Sequence, residues 1–124
     1  MEVEGGHKRK FTVMICEMLG TALFIYGIIL TDKAVSIPFS LFASILIFGA
    51  ITGGHFNPAV SLGVYIANLT GKSEGNSFVF LMIIWLGQFL GGGLAMLFAY
   101  LSLYKTQPPP TTVPGELVPR LCPQ

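Results

Sequence analysis

The stretch GGHFNPAVSLGVY, residues 53–65, decides how the chain reads. It follows directly on FSLFASILIFGAI, residues 39–51, an apolar run suited to a membrane interior. Two glycines, a histidine and Asn-Pro break that run. The apolar piece that follows, residues 58–67, would be about 15 Å long as a helix, roughly half a bilayer core. Gly53 and Gly54 admit backbone angles that other residues avoid. Asn57 has the form of a helix N-cap and Pro58 that of a first helical residue. Two arrangements fit. One is an interfacial loop with an Asn-Pro turn; the other enters the membrane, starts a half-helix inside it and returns to the same side. Irregular backbone at membrane depth is tolerated only where protein buries it or where it borders a water-filled cavity.

Composition places the chain among membrane proteins. Of 124 residues, 52% are hydrophobic and only 10% charged, with a mean hydropathy of +0.71. A soluble domain would carry about a quarter charged residues. Three apolar blocks, residues 11–30, 35–52 and 78–104, would run about 30, 27 and 40 Å as helices, so the second is slightly short for a span. Pro38 stands near the start of that second block, where its missing amide costs little. The all-α transmembrane reading is three spanning helices and one re-entrant half-helix.

Residues 1–10 form a polar N-terminus, and their Lys8, Arg9 and Lys10 favour a cytoplasmic location for it. Asp32 and Lys33 mark a short external turn, and residues 68–77 a polar loop in which Asn76 or Ser77 can cap the last helix. Asn68, Leu69 and Thr70 match a glycosylation sequon, but on the cytoplasmic side no glycan is expected. The tail, residues 105–124, holds six prolines and reads as irregular extramembrane chain. A net charge of +1 suggests no nucleic-acid partner. Cys16 and Cys122 fall on opposite sides of the membrane, with no metal-ligand spacing, so neither a disulfide nor a metal is expected. No nucleophile with a base and no paired carboxylates are visible, so enzyme chemistry and cofactors are not indicated.

A helix N-terminus inside a membrane presents unpaired amides and a partial positive charge. Facing a pore, it repels cations, while polar groups beside it bind water. The Asn57 amide adds donors there, and the carbonyls of Gly53, Gly54, His55 and Phe56 supply acceptors. Such a path suits small neutral polar molecules. In the last helix Gly87, Gly91, Ala95 and Ala99 recur every fourth residue, a smooth face for close packing in a bundle or oligomer. Glu17 is a carboxylate within an apolar block, expensive unless it is paired, faces protein or reaches the surface.

The residues Gly53, His55, Asn57, Pro58, Ala59, Val60 and Ser61 closely resemble the first signature loop of the aquaporin (major intrinsic protein) family, S-G-x-H-x-N-P-A-V-[TS], with Thr52 in place of the serine. CEMLGTALFIYG, through Glu17, Gly20 and Thr21, is similar to that family's A-E-x-x-G-T-x-x-[LF], and WLGQFLGGGLA to its A-Q-x-x-G-A. The resemblance implies that Asn57 donates to permeating water and that the carbonyls of residues 53–56 line the cytoplasmic half of the water file. It implies that Phe24 and Val60 are apolar pore wall, that Glu17 holds the re-entrant loop, and that Gly20 packs against a neighbour. Ile37 falls at the second-helix position of the outer selectivity filter, where water-selective members usually have Phe. Homotetramers are implied for a completed chain.

The resemblance covers one repeat, residues 11–104, where the family has two inverted repeats with the pore between them. The tail resembles a linker between repeats stopped midway. The expectation is a channel for water or small neutral solutes, given by an incomplete chain whose pore needs a second repeat. The alternative is a non-conducting half-length membrane protein that assembles with or modulates full-length subunits.

Overall fold

The computed structural model describes residues 2–31, 33–70 and 77–104. The expectations placed on Asp32, Asn76, Cys122 and the proline-rich residues 105–124 lie outside the described residues. The described residues form four helices and no strand: α1 (Glu2–Ile29), α2 (Ser36–Thr52), α3 (Pro58–Thr70) and α4 (Phe78–Tyr104).

Within α1 and α4, Lys8–Ile29 and Phe78–Leu103 are long and apolar enough to cross a membrane. The other two helices are apolar but shorter, Ser36–Thr52 and Pro58–Leu69. Helix α1 runs from Glu2, through the polar stretch ahead of the apolar block that begins at Phe11. Apolar counting finds the segment that suits lipid. The backbone ladder continues past it, since Lys and Arg are good helix formers wherever their charges are hydrated.

Helix α2 begins with a turn in which the Ser36 amide and hydroxyl both donate to the Lys33 carbonyl, at 2.9 and 2.8 Å. Pro38 stands third in the helix, where its missing amide has no intrahelical partner to lose. The helix ends on Gly53, whose left-handed φ of +88° returns its N–H to the Gly49 carbonyl at 2.8 Å. A Cβ in that conformation costs about 1–2 kcal/mol. Gly53→Ala is therefore expected to lower the unfolding free energy by about that amount, as read by detergent-denaturation titration.

Helix α1 is the hub. It packs against both α2 and α4, and α3 packs against α4. Helices α1 and α4 run parallel: a Cβ on Gly87 would stand 2.5 Å from the Met14 carbonyl oxygen, a Cβ on Gly91 would overlap the Met18 carbonyl, and the Tyr26 and Ser102 hydroxyls meet at 3.0 Å. The face of α4 that carries Gly87, Gly91, Ala95 and Ala99 is buried, with Ala95 fully covered. Helix α2 runs antiparallel to α1, with Ser40 against Gly27 and Ser44 fully buried. Its other faces carry Phe39, 68% exposed, and Leu46, 66% exposed, and α4 likewise exposes Phe89 at 66%. Large apolar side chains exposed in such numbers, on helices of this composition, suit a lipid environment rather than water.

Candidate functional site

The site is the break between α2 and α3 and the side chains that hold it. Glu17 comes from α1 and is completely buried. Its Oε1 accepts the His55 N–H at 3.2 Å and its Oε2 the Phe56 N–H at 2.9 Å. The amide nitrogen of Gln88, from α4, donates to the same Oε2 at 2.7 Å and to Ser61 Oγ at 2.8 Å. Every partner of the carboxylate is thus a donor. One buried acid ties the break to α1 and, through Gln88, to α4 and α3.

The backbone of the break is contorted. Gly53, Gly54 and Phe56 all have positive φ, +88°, +69° and +45°. The strain at Phe56, the one non-glycine, is held by its bond to Glu17 and by its ring, which is 2% exposed. That ring lies on Gly20 of α1, where any Cβ would overlap it, and meets Phe48 edge-on at 6.5 Å. Gly20 is therefore an open seat for Phe56.

These bonds also aim the carbonyls. In a trans peptide the N–H and the preceding C=O point in opposite directions. With the His55 and Phe56 N–H groups on Glu17, and the Gly54 N–H on Thr52 Oγ1 at 3.0 Å, the carbonyls of Gly53, Gly54 and His55 turn away from those anchors. The carbonyls of residues 53–56 accept no hydrogen bond from the described residues.

Asn57 caps α3, its Oδ1 accepting the Ala59 N–H at 2.9 Å. The Trp85 indole N–H donates to the Pro58 carbonyl at 3.0 Å, and Tyr65 meets Phe78 edge-on at 6.1 Å. Helix α3 is thus fixed from one side. Asn57, Ala59 and Val60 are exposed, with Val60 at 47%. Phe24 is half-buried on α1. Ile37 is exposed in the first turn of α2, about 24 Å by helical rise from the break.

Three residues that hold the site are absent from the sequence-derived set: Gln88, Ser61 and Trp85. Gln88 carried a signal, being a primary amide in the middle of an apolar helix. Ser61 stood in the signature-loop resemblance without a role, and Trp85 carried no signal of its own, since the partners of both are set by helix packing.

Comparison with curated proteins relates part of the chain to a known one. The protein named "Probable aquaporin TIP1-1" from Oryza sativa subsp. japonica is 35% identical over 65 residues, 52% of this chain and 23% of that relative. The match thus spans about a quarter of the relative's length. No family model matches the chain, and no solved structure matches it.

Proposed function

We propose that the chain is one wall of an aquaporin-like membrane channel, conducting water or small neutral solutes by passive diffusion. In this reading α1, α2 and α4 span the bilayer with the N-terminus cytoplasmic, and α3 is a half-helix entering from the cytoplasmic side. Residues 11–104 are one repeat.

The observation that carries the reading is the buried Glu17 under the break. It lies nine residues past Lys8 in the apolar segment Lys8–Ile29, about 14 Å by helical rise. A break held at that level stands well inside a core of about 30 Å. Its carbonyls then need water or protein, because lipid offers no donors. The carbonyls of Gly53, Gly54, His55 and Phe56 accept from permeating molecules, the Asn57 amide donates to them, and Pro58 and Ala59 begin the half-helix. Val60 and Phe24 form apolar wall, and Ile37 contributes at the outer mouth.

The exposed face of α3 needs a second wall opposite it, supplied by further sequence or by another chain, and the completed unit would assemble as a homo-oligomer. The test is osmotic shrinkage of proteoliposomes holding the chain, followed by stopped-flow light scattering. With the second wall supplied by another copy of the chain, the expected result is shrinkage faster than lipid-only vesicles, slowed severalfold by Asn57→Ala. Shrinkage at the lipid rate would favour the non-conducting interaction protein, and an unchanged rate for Asn57→Ala would remove Asn57 from the path.

A further inference from the structure

We propose that the hydrogen bonds around Ser61 hold the His55 imidazole as its Nδ1–H tautomer, leaving the Nε2 lone pair to accept from small neutral solutes that donate a hydrogen bond. Ser61 Oγ has three polar neighbours: Gln88 Nε2 at 2.8 Å, His55 Nδ1 at 3.2 Å and the Asn57 carbonyl oxygen at 3.2 Å. A hydroxyl offers one proton and two lone pairs. The direction of the Gln88 bond is fixed, because its other N–H donates to Glu17 at 2.7 Å and a flipped amide would set oxygen against carboxylate. The Asn57 carbonyl can only accept, so the hydroxyl proton goes to it. The remaining lone pair then takes a donor, which is Nδ1–H. With the proton on Nε2 instead, the single hydroxyl proton would serve either His55 or Asn57, and one of the three contacts would be lost.

The consequence lies on the other side of the ring. Nε2 sits beside Gly53, 3.4 Å from where a Cβ would stand, and has no hydrogen-bond partner among the described residues. It adds one acceptor to a break where the carbonyls of Gly53, Gly54 and His55 turn away from their anchors. A bare Nε2 binds molecules that bring O–H or N–H groups, and itself offers nothing to a solute that can only accept. The inference deepens the channel reading and rests on it for the nature of the ligand, not for the tautomer.

The test uses the full chain with ¹⁵N-labelled histidine in lipid nanodiscs, the second histidine, His7, being assigned by His7→Gln. The neutral His55 ring is expected to show a protonated Nδ1 and a bare Nε2. Urea, a donor, should shift the Nε2 resonance saturably, whereas dimethyl sulfoxide, which only accepts, should leave it in place. Ser61→Ala should move the proton to Nε2, and Ser61→Thr, which keeps the hydroxyl, should restore Nδ1–H. A protonated Nε2 in the unaltered chain overturns the tautomer. Equal shifts with both probes, or none with urea, overturn the acceptor site. Vesicles that fail to conduct while the Nδ1–H pattern and urea shift persist would refute conduction by the chain on its own and leave the tautomer and the acceptor site standing.

Discussion

Replacing Glu17 by Ala is expected to destabilise the chain by about 3–5 kcal/mol and to release the break between α2 and α3. The carboxylate accepts three bonds, from the His55 and Phe56 amides and from Gln88. Its removal orphans all three donors at a fully buried position. An unsatisfied buried donor costs about 1–3 kcal/mol, and the three share one site, so the costs do not simply add. Gln at position 17 keeps one acceptor oxygen but turns an NH2 toward donors, so Glu17→Gln should fall between Ala and the native chain. Denaturation followed by fluorescence of Trp85, the only tryptophan, measures the loss. Hydrogen exchange at the His55 and Phe56 amides localises it. Native stability in Glu17→Ala, with those amides still protected, would show that the carboxylate does not hold the loop.

The second large effect is expected from a pair of substitutions two residues apart on α4. A Cβ on Gly91 would overlap the Met18 carbonyl and stand 3.0 Å from Thr21 Cβ. Backbone cannot swing aside as a side-chain tip can, so Gly91→Ala has to push α1 and α4 apart, at a cost of about 1–3 kcal/mol. At Gly93 nothing lies within 4 Å of the added carbon. Gly93→Ala then gains helix propensity without a clash and should raise stability by up to about 1 kcal/mol. The same denaturation titration on both variants reads the opposite signs. Equal effects would mean that α4 does not meet α1 along its Gly87–Gly91 face.

What was legible in the sequence is what local chemistry determines. Two glycines and Asn-Pro are signals carried by neighbouring residues, so the break before Pro58 is readable without knowing the fold. The helical class follows from long apolar blocks. The start of α1 was not readable from hydropathy, because the helix continues through charged residues to Glu2. Nor was the hub of the site. Gln88 reaches Glu17 across 71 positions and Ser61 across 27, and Trp85 reaches Pro58 across 27. Those contacts depend on how α1 and α4 pack, and only a residue type out of place, such as an amide in an apolar helix, hints at them. The face shared by Gly87, Gly91, Ala95 and Ala99 was visible as a period of four, whereas its neighbour, α1 of the same chain, was not.

The central claim is that the break and the start of α3 lie inside the bilayer and not at its surface. Trp85 reports their depth directly, because its indole N–H is bonded to the first carbonyl of α3. Quenching of Trp85 fluorescence by lipids brominated at different acyl positions measures that depth in the unmodified chain. Trp85 stands about 8 Å by helical rise from the middle of Phe78–Leu103, so it should lie within about 10 Å of the bilayer midplane, and deep bromines should quench it most. Strongest quenching from the headgroup end would place α3 at the interface and contradict the re-entrant account.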